Sequence, residues 1–237
     1  MTEKFQDVGV VKALYRYPVK SMQGEALAEA QVVWHGLEGD RRYAFVRGDV
    51  GDSSFPWLSA RQIPAMLLYA PQFANPEDVR NSAIVVQTPN GRSLPITSPD
   101  LHAELAQAYG RTIHLIHIGR GVFDSLPLSV ISTATATALN ADVRRFRQNI
   151  VIETVDGRPF LEESWLDRAL HFSSGARIRL NQRIPRCVMV NVDPDTAVTH
   201  PTLLRTIAQT RDNCVGVHAS TEQPGVIRVG DVVRVEA

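Results

Sequence analysis

Cysteine is nearly absent from this chain: Cys187 and Cys214 are the two thiols in 237 residues. Two thiols cannot build an iron–sulfur cluster or a Cys-rich zinc site, so no iron–sulfur cluster is expected within this chain. Nor do they make the disulfide framework of a small secreted domain, and a chain of this length buries roughly 70–75% of its unfolded surface without one. Net charge is also absent, with 25 basic residues balancing 25 acidic ones. That excludes bulk electrostatic binding to nucleic acid or an anionic membrane. No apolar run approaches the ~20 residues of a membrane helix, and Met1–Asp7 lacks the apolar segment of a secretory signal. The expected compartment is the cytoplasm. The phosphate loop G-x-x-x-x-G-K-[ST] and the dinucleotide turn G-x-G-x-x-G are missing, as are H-E-x-x-H and G-x-S-x-G. Seven histidines form no ligand-spaced cluster. His114 and His117 stand three apart in the alternating run Ile113–Ile118, which places them on opposite faces of a strand.

What is present reads as strands with a few short helices. Val10–Tyr17, Gln31–Trp34 and Tyr43–Arg47 are β-rich, and Ile84–Leu94 is a hairpin turning at Asn90-Gly91. Ser98-Pro99 starts a helix and Gly110 stops it. The break at Val122–Leu128 places a soft boundary near residue 120, giving units 1–120 and 121–237. Beyond it, Ser132 opens a short Ala/Thr helix ending near Asn140. Strands are expected over Asn149–Thr154, Ala176–Gln182, Cys187–Val192 and the strand–turn–strand Gly225–Val235, with a helix over Thr202–Thr210. The fold class is α+β and β-rich, a barrel rather than a doubly wound sheet.

Five features carry chemistry, and each has an ordinary explanation beside it. Cys187, flanked by Arg183 and Arg186, is either a small core residue or a thiolate that serves as nucleophile or soft metal ligand. Tyr17-Pro18-Val19-Lys20-Ser21 ends a strand in a lysine and a hydroxyl, as any solvated turn can. Gly36-Leu37-Glu38-Gly39-Asp40-Arg41-Arg42 is a glycine-spaced loop, or a hairpin with a surface ion pair. Ser132 caps a helix, whose amino terminus also receives anions. Arg144, Arg145 and Arg147 crowd one turn, either solvated or matched to phosphate. Basic pockets in a neutral protein suit a small anionic ligand better than a polyanion.

In this order these segments, together with Phe160-x-Glu162-x-x-Trp165, Val192-Asp193-Pro194-Asp195-Thr196 and Val229-Gly230-Asp231, resemble the MOSC family over nearly the whole chain. That family includes the mitochondrial amidoxime reducing components and their bacterial counterparts. The resemblance implies a MOSC N-terminal β-barrel domain followed by a MOSC domain, itself a β-barrel with a few short helices. It implies a molybdopterin-type molybdenum cofactor with Cys187 as thiolate ligand and the one catalytic residue. Lys20 and Ser21 would hold the cofactor from the amino half, with Arg41 as a clamp and Arg42 as the alternative. Arg147 and Asn149 would grip it from the carboxyl half, and Ser132 would meet its polar end. Two positions depart from the family pattern: Gln148 stands where proline is frequent, and Ala197 where glycine is usual.

The implied function is an oxidoreductase that reduces N-hydroxylated or N-oxide small molecules. The chain has none of the ferredoxin-like or pyridoxal phosphate domains that some members add. Separate redox proteins, of the ferredoxin or flavin-reductase type, are therefore the expected electron source. The alternatives are a molybdenum cofactor or sulfur carrier using a Cys187 persulfide without redox turnover, and a non-catalytic β-barrel module in which Cys187 is core.

Overall fold

The structure, a computed structural model, describes residues 5–236. Its first element, β1 (Phe5–Arg16), buries Val8, Val11 and Leu14, a spacing of three that a regular strand would point to opposite faces. Bulges between Asp7 and Gly9 and between Val11 and Ala13 absorb the extra residues and keep all three inward. β2 (Glu25–Leu27) returns along the end of β1. β3 (Glu29–Val33), β4 (Gly36–Leu37) and β5 (Tyr43–Arg47) follow, then β6 (Ala70–Phe73), β7 (Ile84–Gln87) and β8 (Ser93–Pro95) as a small antiparallel sheet. α1 (Pro99–Tyr109) is capped as the sequence predicts: the Ser98 hydroxyl accepts from the Asp100 N–H, and Gly110 closes the helix at φ 79°. β9 (Ile113–His117) pairs with β5, stacking His117 on Tyr43 while His114 stays exposed. Val19, Met22, Phe45, Met66, Ile84 and Leu101 form the core of this half.

The second half supplies β10 (Leu128–Ser132), α2 (Thr133–Ala138), β11 (Ile150–Thr154), β12 (Ala169–Phe172) and β13 (Arg177–Pro185). It continues with α3 (Thr202–Thr210), β14 (Cys214–Gln223), β15 (Gly225–Arg228) and β16 (Val232–Glu236). These strands run β11-β10-β14-β13-β12-β16, and β1 pairs with both ends to close a seven-stranded barrel. Only β10 and β11 are parallel. Val11, Leu14, Ile150, Leu170, Ile178, Val217 and Val233 fill it. In exchange, β15 leaves the barrel to pair with β3. Each half of the chain therefore completes its sheets with a strand from the other. Closure also removes the two edges that β11 and β16 would otherwise present for pairing with another chain. Among the described residues no helix is long and apolar enough to cross a membrane.

One expected strand is absent. The segment Cys187–Val192 is a 3-10 turn, Val188–Asn191, entered from the extended Cys187. Its backbone carbonyls are taken within the turn and by other segments rather than by a strand ladder: the Val190 and Val192 N–H groups donate to the Cys187 and Met189 oxygens at 3.2 and 3.1 Å, and Arg145 and the His200 N–H donate to the Asn191 oxygen at 3.1 and 2.9 Å. An alternating apolar run cannot reveal that competition.

At the far end of the barrel, Asp231 ties two turns together. Its carboxylate accepts from the Ser173 and Ser174 hydroxyls at 2.7 and 2.6 Å and from the Arg228 N–H at 2.7 Å. Burial alone would raise its pKa, but the Ser174, Arg228 and Ser173 hydrogen bonds win and hold it below the ordinary 3.8. A depressed carboxylate pKa stabilises the fold above 3.8, and that stability is lost as pH falls through the folded-state value. Asp231→Ala is expected to cost about 2 kcal/mol at pH 7. In urea unfolding, the difference from wild type should narrow as the pH is taken below 3.8; an unchanged difference would contradict the assignment.

Candidate functional site

Between the barrel and the first-half core lies a cavity of about 170 Å³. Its positively charged end is built from three backbone turns. The turn after β1 zips onto the 41–43 segment, with the Arg41 N–H donating to Tyr17 O at 2.7 Å and the Lys20 N–H to Tyr43 O at 2.8 Å. Gly39 lets the adjoining loop pack onto the first-half core: at φ 85°, a Cβ there would lie 2.4 Å from Val79 and 2.9 Å from Phe73. The next residue, Asp40, is 2% exposed and serves both halves. It accepts from the Tyr17 N–H at 2.7 Å and from the Asn149 amide at 3.2 Å, and it pairs with the Arg41 guanidinium. Arg41 also donates to the Arg147 carbonyl at 3.0 Å. Both guanidinium groups lie over the Tyr17 ring, 4.7 and 4.3 Å from its centroid. Burial pushes the Tyr17 pKa up to about 12 against the pull of Arg147 and Arg41, so the phenol stays neutral.

The three arginines that look equivalent in sequence divide sharply. Arg144 forks onto Asp195 at 2.8 and 2.6 Å and also holds Asp142. Arg145 pairs with Asp193 at 2.7 Å, so both clamp the Cys187 turn in place. Arg147, left-handed at φ 54°, instead enters the cavity with no carboxylate partner and a buried Nη2 that donates to nothing. Burial draws its pKa down to about 10, which still leaves it charged at neutral pH. Arg183 turns away to Glu163. Arg186 is spent on backbone, its guanidinium donating to the Val215 and Phe146 carbonyls.

Six of the seven residues singled out by sequence line this cavity: Lys20, Ser21, Arg41, Arg147, Asn149 and Cys187. The Lys20 ammonium meets Asp124 at 2.5 Å and the Val122 carbonyl at 3.2 Å. Burial lowers its pKa, with Asp124 opposing. Arg42 is excluded, because it pairs with Glu38 outside the cavity. Asn149 lines the wall with its amide nitrogen already committed to Asp40 and to Tyr15 O. Cys187 is free and half-buried.

Ser132 is the exception. It is fully buried outside the cavity, where its hydroxyl accepts from the Thr135 N–H at 3.1 Å. The carboxylate of the buried Glu162 accepts from the Ser132 N–H and the Thr135 hydroxyl. The helix end expected to receive an anion is thus already filled by the Glu162 side chain, and Ser132 is corrected to a structural cap.

The sequence reading missed the other walls. Phe55, Phe123 and Leu126 form an apolar side, and Gln148 and His218 a neutral polar floor. A strand histidine carries no sequence signal, and Gln148 shows in the sequence only as a departure from the family's frequent proline. The His218 pKa falls to about 4 through burial, so its imidazole is neutral.

A ligand anion fits the end where Arg147 lacks a counter-charge, and a soft metal fits the thiol. Among the described residues no three His, Cys, Asp or Glu side chains converge to hold a metal. A metal at Cys187 must therefore bring most of its own donors, as a sulfur-bearing cofactor does.

The MOSC domain family matches residues 123–234, and the MOSC N-terminal beta barrel domain family matches residues 8–115. The chain is 25% identical to mitochondrial amidoxime reducing component 2 of Macaca fascicularis and of Homo sapiens, covering 97% of this chain and 84% of each relative. It is 24% identical to mitochondrial amidoxime-reducing component 1 of Homo sapiens over 96% of this chain and 83% of that one. The crystal structure of the YUAD protein from Bacillus subtilis shares the fold, with a TM-score of 0.51 at 14% identity over 100% of this chain and 99% of that one.

The uncompensated charge at Arg147 can be tested on protein free of ligand. Removing a buried, unpartnered cation relieves its desolvation. Arg147→Met is expected to unfold at higher urea, by about 1–2 kcal/mol. Millimolar inorganic phosphate should raise the melting temperature of wild type and leave Arg147→Met unmoved. Equal phosphate responses would contradict an anion site at Arg147.

Proposed function

Because the chain belongs to the MOSC family, as an N-terminal β-barrel domain followed by a MOSC domain, we propose that it is a molybdenum-cofactor oxidoreductase. Its substrates are N-hydroxylated or N-oxide small molecules, and its electrons come from separate ferredoxin- or flavin-type redox proteins. The observation that carries this reading is the meeting of a free thiol with a cationic end whose Arg147 has no carboxylate partner. The relatives named as amidoxime reducing components point to the same reaction class.

When bound, the cofactor supplies two-electron cleavage of an N–O bond, with two protons taken up and the oxygen leaving as water. The protein's part is to bind, orient and shield. Cys187 offers the soft anionic sulfur that suits molybdenum. Arg147, Arg41 and Lys20 face the anionic end of the cofactor, and Ser21 adds a hydroxyl. Asp40 keeps Arg41 aimed, so little side-chain entropy is left to lose on binding. Phe55, Phe123 and Leu126 exclude water from one side and present an apolar wall to the substrate's body. Asp124 pairs with the buried Lys20 next to that wall and opposes the burial that lowers the lysine's pKa.

Protein from a molybdenum-sufficient host should contain molybdenum and turn over benzamidoxime with a chemical reductant. Cys187→Ser should lose bound metal and at least ~100-fold of the turnover, since even changes in a ligand's supporting groups cost 10–100-fold. A metal-free wild type whose Cys187 gains the mass of one sulfur from a cysteine desulfurase would favour the carrier instead.

A further inference from the structure

Gln148 is 1% exposed, yet among the described residues neither its amide nitrogen nor its amide oxygen has a hydrogen-bond partner. Its side chain lines the cavity between Arg147 and Asn149. His218, reaching in from β14, brings a buried Nδ1 that is also unpartnered. Leaving such groups buried and unpaired costs roughly 1–3 kcal/mol each, and a core optimised for stability alone would replace them with apolar side chains.

The surroundings hold the carboxamide where it is. The Gln148 backbone is tied by the Tyr17 hydroxyl, which donates to its carbonyl at 3.3 Å. Opposite lies Gly216 at φ 72°, where a Cβ would sit 2.7 Å from Gln148 Nε2 and 3.3 Å from Arg186 Nη2. The glycine thus leaves the room that the amide occupies. All nearby charge is cationic or already paired, so this floor is the neutral, two-way hydrogen-bonding part of the cavity. A carboxamide donates from one atom and accepts on its neighbour.

We propose that Gln148, supported by His218, is a recognition subsite for an amidine-type ligand edge, in which an N–H donor stands beside a nitrogen or oxygen acceptor. This rests on reading the cavity as a cofactor and substrate site. Two ligands of that reading carry the edge: the aminopyrimidinone ring of a pterin and an N-hydroxyamidine substrate.

The full chain as isolated, wild type and Gln148→Met, distinguishes them. Methionine keeps the length and removes the hydrogen bonds; Gln148→Leu serves as a second variant should one fold poorly. Bound molybdenum per chain, the dissociation constant for benzamidoxime by calorimetry and the melting temperature are measured together. The expected result is a melting temperature at or above that of wild type, with recognition lost. A severalfold drop in molybdenum content identifies the pterin edge. Metal content kept with benzamidoxime bound about tenfold more weakly, the loss of one such hydrogen bond, identifies the substrate. Unchanged metal content and unchanged affinity, or a wild type that binds neither ligand, would overturn the proposal. Failure of the cofactor reading alone is separately visible, as molybdenum-free wild type that still binds benzamidoxime through Gln148.

Discussion

Asp40 is the constraint on which the candidate site depends. A buried carboxylate costs several kcal/mol unless charge and hydrogen bonds compensate it, and here the compensation comes from both halves of the chain. The Tyr17 N–H and Arg41 belong to the first half, and the Asn149 amide to the second. Satisfying this one group therefore fixes the turn that carries Lys20 and Ser21, the aim of Arg41 and the start of β11. Arg147 follows, because its carbonyl accepts from Arg41 and its guanidinium lies over the same Tyr17 ring.

The exchange of strands makes that arrangement rigid. β1 closes the barrel between β11 and β16 and then runs directly into the Lys20 turn. The cationic end thus hangs from a strand whose register is set by Val8, Val11 and Leu14. Three residues of the cavity, Ser21, Arg41 and Arg147, have φ of 65°, 50° and 54°. Left-handed backbone at a non-glycine residue costs about 1 kcal/mol or more each. Such strain persists where surrounding packing over-determines it, and these three are among the positions proposed to contact ligand; Asn140, Phe160, Asp167, Ala197, Asp212 and Asn213 adopt the same backbone outside the cavity. The buried, unpartnered atoms of Arg147, Gln148 and His218 add a further local cost at the same cavity.

Much of this was legible in the sequence wherever the physics is local. Ser98, Pro99 and Gly110 bound α1 because caps act within one turn, and the Asn90-Gly91 turn sets its hairpin. Period-two runs gave most barrel strands. Closure by β1 was not legible, because it depends on partners over a hundred residues away. The 3-10 turn at Val188–Asn191 escaped for the same reason: Arg145 decides it from another segment. Arg144, Arg145 and Arg147 are interchangeable as letters, and only the carboxylates of Asp193 and Asp195 separate two clamps from one cavity cation. Ser132 matched the family pattern, but Glu162 already occupies its helix end. Gln148 stood out in the sequence only as a departure from the family pattern and His218 not at all; burial without partners singles both out.

The central claim is that Cys187 is the protein's bond to the metal of a cofactor whose anionic end is held by the cations of both halves. The most direct measurement is X-ray absorption at the molybdenum edge of the loaded protein and of whatever molybdenum Cys187→Ser retains. The account predicts a sulfur-rich shell in wild type and one sulfur fewer in the variant. A shell with the same number of sulfurs in both proteins, or a wild type that takes up no molybdenum at all, would contradict it.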